Sequence, residues 1–211
     1  MLAAPGVEYI TDDALRRGKV VDTNDTDRTF TIRLANGQEL SVPLTLEHRE
    51  AILEAQRDAP NGVRVAVRGI GQFNRAGKLV RFQDVEDVAP LEPLDVPSRL
   101  DELRLLRAGW LNGEGKPLES SSLDKLDQLF ASYYPGELPL PYTFPTVNGG
   151  IQFEWRINGA NPEVEIDLAS FVGEWLSDDE ATLDLGTAEG WADLAARIES
   201  LVALSSIKGA A

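Results

Sequence analysis

The sequence has no cysteine and a single histidine, His48. The lack of cysteine excludes disulfides, thiolate nucleophiles, zinc–thiolate sites and iron–sulfur clusters built by this chain. The lack of a second histidine excludes two-histidine metal sites within one chain, and a serine triad would have to use His48. No serine stands in the sequence context of a nucleophile elbow that could partner this histidine. We therefore expect no enzymatic activity, no cofactor and no bound metal.

Long apolar runs are also missing. No stretch approaches the ~18 apolar residues that a membrane-spanning helix needs. The first residues, MLAAPGVEYITDD, lack the basic segment and the apolar core of a secretory signal. The 211 residues are 43% hydrophobic and 26% charged, which is ordinary for a globular protein. The sequence thus predicts a cytoplasmic protein with no membrane partner.

Basic residues are scarce, 20 against 35 acidic ones, so the net charge is −15. The acidic excess is uneven, because residues 1–92 contain 12 basic and 15 acidic residues, whereas residues 93–211 contain 8 and 20. The second part would repel a nucleic-acid backbone at long range. Its charge fits either a basic protein partner or the simple solvation of an acidic surface.

Residues 1–92 show strand patterns around one helix. The segment RTFTIRL alternates apolar and polar side chains, and Asn36–Gly37 favours a tight hairpin. A helix capped by Thr45 is expected over roughly 46–58. Gly69 and Gly71 lie within a strand pattern, which indicates a bulge or a bend rather than a phosphate loop. The order β-β-β-α-β-β predicts a small OB-like barrel, with an SH3-like barrel or an open sheet as alternatives.

The proline-rich segment APLEPLDVP at 89–97 has no hydrophobic period and indicates a domain boundary. The patterns beyond it predict two helices, four strands and a last helix that begins after Thr187. The stretch PGELPLPYTFPT before the strands is expected to pack along a surface as extended chain. We therefore predict an α+β fold, with a small OB-like β-barrel domain at 1–92 followed by an acidic α+β domain at 93–211. Helices are expected to cover one face of its antiparallel sheet.

The clearest hairpin joins IQFEWRI to PEVEIDL through residues 158–161. Matching the apolar faces, with a turn on Gly159–Ala160 or on the four residues 158–161, predicts that Trp155 opposes Val164. The same register pairs outer-face residues as Arg156 with Glu163, Glu154 with Glu165, and Gln152 with Asp167. Like charges directly opposite each other are destabilising. Three interpretations compete: the carboxylates splay into water, they await a cationic partner, or they share Mg²⁺ or a proton.

Four basic residues of the first part are expected to share exposed strand positions, and they are Arg64, Arg68, Lys78 and Arg81. Phe73 is expected to lie nearby. A basic and aromatic face on an OB-like barrel would suit a single-stranded nucleic acid. Single-stranded nucleic-acid binding is therefore the alternative function.

The segment FPTVNGGIQFEW resembles a group of poorly characterised bacterial proteins with the pattern PT-x-x-GGIQ-x-EW followed by a second acidic strand. The matching positions are Pro145, Thr146, Gly149, Gly150, Ile151, Gln152, Glu154 and Trp155. The earlier GWLNGEG, with Trp110, Gly113 and Gly115, resembles the Trp-Asp-Gly region of that group. Asn112 stands there in place of the expected Asp. Some of these proteins look like components encoded beside small toxins, so the resemblance implies an antitoxin-like role in a toxin–antitoxin system. It covers roughly residues 98–170 and brings no catalytic residues.

The preferred function is non-catalytic binding of a basic protein through the acidic sheet face of the second domain, as an antitoxin or immunity protein would do. Trp110, beside a glycine-rich loop, suits an interface anchor. The residues expected to contact the partner are Glu154, Glu163, Glu165, Asp167, Gln152 and Trp110.

Overall fold

The computed structural model describes residues 9–177 and 179–208, with side chains up to residue 203. The architecture is mixed α and β, with two antiparallel sheets of five strands each. The chain divides into two compact units, Met1–Pro93 and Leu94–Ala211. The division falls inside the proline-rich segment at 89–97.

The first unit is a curled antiparallel sheet with the strand order β3-β2-β1-β4-β5, in which β3 also packs beside β5. Its elements are β1 (Ile10–Asn24), β2 (Thr29–Arg33), β3 (Glu39–Pro43), α1 (Arg49–Asp58), β4 (Val65–Phe73) and β5 (Leu79–Pro90). Strand β1 is long enough to pair with β4 through its first part and with β2 through its second. The curled sheet encloses an apolar core in which Phe30, Ile32 and Val67 are inaccessible to solvent.

Two glycines allow β4 to bend against β5. The register between these strands shifts at Gly69 and again at Gly71. A Cβ atom on Gly69 would collide with the main chain of Asp84 and Val85, so the close approach requires glycine. This confirms the bulge predicted for these two residues.

Helix α1 begins at Arg49, three residues later than the predicted helix. Residues 46–48 form a turn instead, and His48 becomes the N-cap residue of the helix. Its Nδ1 atom lies 2.8 Å from Thr45 Oγ1. The threonine side chain therefore bonds within the turn rather than starting the helix itself.

The second unit is a meander with the strand order β10-β9-β8-β7-β6. Its elements are α2 (Val96–Leu103), α3 (Ser120–Tyr133), β6 (Tyr142–Pro145), β7 (Ile151–Glu154), β8 (Glu163–Ile166), β9 (Val172–Leu176), β10 (Glu180–Asp184) and α4 (Ala188–Lys208). Side chains from all three helices pack against one face of the sheet in a single core. The largest fully buried side chains there are Trp155, Trp175 and Trp191. The three described helices of this unit therefore lie on the same side of its sheet.

The second sheet has five strands rather than the four predicted. The extra strand, β6, comes from the proline-rich stretch and pairs with β7 at the edge of the sheet. An edge position suits this segment because proline has no N–H to donate to a second neighbour. On the same strand, the carbonyl of Thr143 accepts a hydrogen bond from Arg99 Nε at 3.1 Å.

The predicted register between β7 and β8 was wrong by two residues. Val164 lies opposite Phe153 and not opposite Trp155. Asn158 and Gly159 both have positive φ, 54° and 84°, and they form a two-residue turn that is closed by a bridge between Ile157 and Ala160. A turn centred on Gly159–Ala160 is therefore excluded. A displacement of two residues keeps each side chain on its predicted face, because side chains alternate along a strand.

Trp155 connects the core of the second unit to the start of β6. Its Nε1 donates to Tyr134 Oη at 3.1 Å and to the carbonyl of Pro139 at 3.0 Å. Tyr134 Oη donates to the same carbonyl at 2.6 Å, and its ring stacks on Phe130 with centroids 4.6 Å apart. Burial raises the pKa of Tyr134 to about 12.

The variant Tyr134→Phe keeps the ring stack and removes the hydroxyl. We expect its free energy of unfolding at pH 7 to fall by about 1 kcal/mol, since Trp155 retains the Pro139 carbonyl as acceptor. The pKa of Tyr134 is higher in the folded state than the ordinary value of about 10. The stabilising contribution of the neutral phenol is therefore present below pH 10 and is lost as the pH rises toward 12.

Urea unfolding at pH 7 and at several values between pH 10 and pH 12 measures this dependence. The stability advantage of the parent over Tyr134→Phe should shrink across that range and then reverse, because a pKa raised from 10 to about 12 costs the parent more than the ~1 kcal/mol that the hydroxyl contributes at pH 7. Tyr133→Phe is the matched control, because the neighbouring Tyr133 is 45% exposed. A constant difference across the alkaline range would contradict the raised pKa.

Candidate functional site

The outer face of the second sheet carries a cluster of acidic side chains. Alternation along the strands turns them away from the helices, because the intervening residues, such as Phe153, Val164 and Trp175, are buried in the core. We call this surface the acidic face, and it consists of Gln152, Glu154, Glu163, Glu165 and Glu174. These residues come from three adjacent strands, β7, β8 and β9.

The observed register places carboxylates directly opposite each other. Glu154 pairs with Glu163 across β7 and β8, and Glu165 pairs with Glu174 across β8 and β9. Gln152 faces Glu165. The predicted pairs of Glu154 with Glu165, of Gln152 with Asp167 and of Arg156 with Glu163 are therefore wrong. The carboxylates nevertheless lie close together on this face, as the predicted register implied, but in different cross-strand pairs.

Gln152 holds two of the carboxylates together. Its Nε2 donates to Glu154 Oε1 at 3.1 Å and to Glu163 Oε2 at 2.8 Å. A shared amide donor offsets part of the repulsion between the two half-buried glutamates. One oxygen of each carboxylate is bound to this amide, which fixes the orientation of both groups on the sheet.

No cation within the described ranges, 9–177 and 179–208, forms an ion pair with the glutamates of the acidic face. Arg156 follows the end of β7, two residues after Glu154. Its guanidinium lies over the ring of Tyr142, 5.0 Å from the centroid, in a cation–π contact. The negative charge of the face is thus not neutralised by these side chains.

Apolar side chains lie beside the acidic face on the same side of the sheet, and beyond β9 the exposed Glu180 and Asp184 of β10 continue its negative charge. Tyr142 and Phe144 of β6 lie opposite Glu154 and Gln152 respectively. Leu176 of β9 lies opposite Glu163. Phe144 and Leu176 are each 39% exposed. The border residues and Glu174 were not identified from the sequence, although the alternation VGEWL in β9 could have placed Glu174 on the outer face.

Asp167 lies beyond the end of β8 and forms the turn to β9. Its Oδ1 accepts hydrogen bonds from the backbone N–H groups of Ala169 and Ser170 and from the Ser170 hydroxyl, at 3.0, 2.8 and 2.9 Å. The bonds from Ser170 lower the pKa of Asp167. This carboxylate therefore already has three donors within its own turn.

Trp110 closes its own loop. Its Nε1 donates to the carbonyl of Lys116 at 3.1 Å. A Cβ on Gly115, whose φ is 93°, would lie 2.5 Å from this nitrogen, so the indole packs directly on the glycine backbone. Lys116 N–H in turn donates to the carbonyl of Val147, which ties the loop to the turn between β6 and β7. The half-buried Trp110 thus stabilises a contact between two turns.

The four basic residues of the first unit occupy mixed surroundings. Arg68 of β4 is exposed and lies opposite Asp87 of β5. Arg81 Nε donates to Gln72 Oε1 at 2.9 Å. Lys78 lies exposed in the turn before β5, and the half-buried Arg64 immediately precedes β4. Acidic and basic side chains are therefore interspersed along the paired strands β4 and β5.

No group of three histidine, aspartate or glutamate side chains in the part of the chain that the structure describes could hold a metal ion. The described helices include none that is long and apolar enough to cross a membrane. Comparisons with known proteins found no matching family model, no matching curated protein and no matching solved structure. Functional proposals therefore depend on the geometry of this chain.

The repulsion within the acidic face is open to measurement. In Glu163→Gln the side chain still accepts the bond from Gln152 but loses its charge. We expect the free energy of unfolding to rise by about 0.2–1 kcal/mol at low salt, because like charges directly opposite are destabilising. The gain should shrink at high salt, which screens exposed charges.

Urea unfolding at low and high salt measures this effect. Glu199→Gln is the matched control, since this exposed glutamate lies on α4 in the opposite layer. Gln152→Leu should lower stability, because it removes the donor that the two carboxylates share. Loss of stability in Glu163→Gln would contradict the proposed repulsion.

Proposed function

We propose that the protein binds a basic protein partner through the acidic face and performs no chemistry on it. The observation that carries this proposal is the placement of four glutamates on three adjacent strands with no neutralising cation among the described side chains. A cationic partner would relieve the repulsion between Glu154 and Glu163 and between Glu165 and Glu174. Electrostatic attraction would also speed the encounter and make it sensitive to salt.

The contact set of the proposal is narrower than the sequence predicted. Gln152 and the glutamates of β7 and β8 remain in it, and Glu174 is added. Asp167 is left out because its carboxylate is bonded within the β8–β9 turn. Trp110 is left out because its indole N–H is bonded within its own loop.

The biological role in this proposal is that of an antitoxin or immunity protein in the cytoplasm. The support is the resemblance of FPTVNGGIQFEW to proteins encoded beside small toxins. Gln152 and Glu154 belong both to that segment and to the acidic face. Binding would then neutralise a small basic toxin or effector by covering its basic surface.

For the first unit we propose an OB-like barrel. The strand order β3-β2-β1-β4-β5, the approach of β3 to β5 and the helix between β3 and β4 support this architecture. The alternative function, binding of single-stranded nucleic acid on this unit, has weaker support. Its basic residues are interspersed with carboxylates, as at Arg68 and Asp87.

Affinity capture tests the proposed function. The tagged protein is incubated at low salt with an extract of the organism that encodes it, bound material is eluted at high salt, and the eluate is identified by mass spectrometry. We expect one stoichiometric basic protein. With the purified partner, Glu154→Gln/Glu165→Gln should lower the association rate at low salt about 10-fold.

The control is Glu137→Gln/Glu199→Gln, which removes the same charge from exposed positions outside the acidic face. An unchanged rate in Glu154→Gln/Glu165→Gln would refute the role of the face. Nucleic acid in the eluate that is lost in Arg68→Ala/Arg81→Ala would instead support the alternative function.

A further inference from the structure

The outer face of the second sheet is ordered in columns that run along the strands. The β6 column contains Tyr142 and Phe144, and the β7 and β8 columns contain the carboxylates. The β9 column contains Val172 and Leu176 on either side of Glu174. Apolar side chains therefore lie on both sides of the β7 and β8 carboxylates. Beyond β9, strand β10 adds the exposed Glu180, Thr182 and Asp184 to the same face. A partner element that lies over β7 and β8 meets carboxylates at its centre and apolar side chains on its flanks.

The width of this arrangement fits a helix. Neighbouring strands lie about 4.8 Å apart, so the columns of β6 and β9 are about 14 Å apart. A helix with its side chains is about 10–12 Å in diameter. It can therefore contact both apolar columns while it lies over β7 and β8. An extended segment presents only one row of side chains to the sheet, and that row does not reach both borders.

The spacing along the strands also fits a helix. Glu163 and Glu165 are two residues apart on β8, which separates their Cα atoms by about 6.8 Å. Residues one turn apart on a helix, at i and i+4, are separated by about 6 Å along its axis. Two basic side chains at this spacing would each meet one row of carboxylates. The cation–π contact of Arg156 with Tyr142 demonstrates that a guanidinium packs on this face.

We propose that the partner element bound by the acidic face is an amphipathic helix that lies along β7 and β8. Arginine or lysine residues one turn apart form its contact centre, and apolar residues on both flanks pack on Phe144 and Leu176. This inference rests on the proposed function and specifies its partner. Among the described helices, α1 alone contains two arginines, and these, Arg49 and Arg57, are eight residues apart rather than four. The helices that the structure describes therefore do not supply this pattern.

Three synthetic peptides of one composition and about 18 residues test the shape and the pattern of the partner. The first is a helix with arginines at i and i+4 flanked by leucines on both sides. The second is a helix with the same residues in an order that scatters the arginines around its circumference. The first two peptides carry their prolines at the ends. The third has the same residues, but its prolines lie inside the segment, where they prevent a helix. Binding is measured by fluorescence anisotropy at low salt.

We expect the first peptide to bind at least about 10-fold more tightly than either of the others, since interior proline or a scattered pattern removes the helical match. Glu163→Gln should weaken its binding and reduce the salt dependence. Phe144→Ser and Leu176→Ser should each weaken binding and leave the salt dependence unchanged. Glu199→Gln should bind as the parent does, and circular dichroism should show that all variants are folded.

Equal binding of the first and third peptides, no effect of both Phe144→Ser and Leu176→Ser, or no binding of the first peptide would each overturn the helix proposal. These failures are distinct from failure of the proposed function. A captured basic protein whose association depends on Glu154 and Glu165, combined with equal binding of the peptides, would retain the acidic face as a binding surface and reject the helix.

Discussion

The second unit depends on the burial of Trp155 and on the hydrogen bond that its indole donates to the carbonyl of Pro139. The ring lies in the core beneath the helices, while the bond holds the proline-rich chain that leads into β6. Because β6 follows at once, this one side chain positions the aromatic border formed by Tyr142 and Phe144. It also turns its neighbours Glu154 and Arg156 outward, since side chains alternate along the strand. Core packing and the candidate site are therefore linked through a single residue.

The acidic face combines two features that a merely solvated surface does not require. Like charges lie directly opposite each other, at Glu154 and Glu163 and at Glu165 and Glu174, where each pair lowers the stability of the sheet. Gln152 orients two of these groups instead of a cation that would neutralise them. In the function that we propose, a cationic partner would relieve this repulsion, so part of it would become affinity in the complex. The apolar side chains beside the carboxylates would add selectivity for a partner of matching width.

The sequence predicted much of the fold because its patterns are local. Alternation in IQFEWRI and PEVEIDL placed Trp155 and Val164 inside and the glutamates outside, and the structure agrees. Gly69 and Gly71 were correctly interpreted as a bulge. The register of the hairpin was wrong because apolar matching is equally good in two registers that differ by two residues. The Asn158–Gly159 turn separates them, because both residues adopt positive φ and close the hairpin with a two-residue loop. The proposed contact set leaves out Asp167 and Trp110 because local hydrogen bonds engage both residues, and no sequence pattern reveals those bonds.

By itself, the sequence determined which side chains face the core, which face water, and that the outer face of the second sheet would be acidic, since these properties follow from the two-residue period of a strand. Only the tertiary structure decided which carboxylates are neighbours. Glu165 and Glu174 are brought together by strand pairing across a turn. Phe144 lies on the same face because β6 adds to the edge of the sheet and places it opposite Gln152. Such pairings depend on turn geometry and on packing between residues distant in the chain, and no local pattern encodes them.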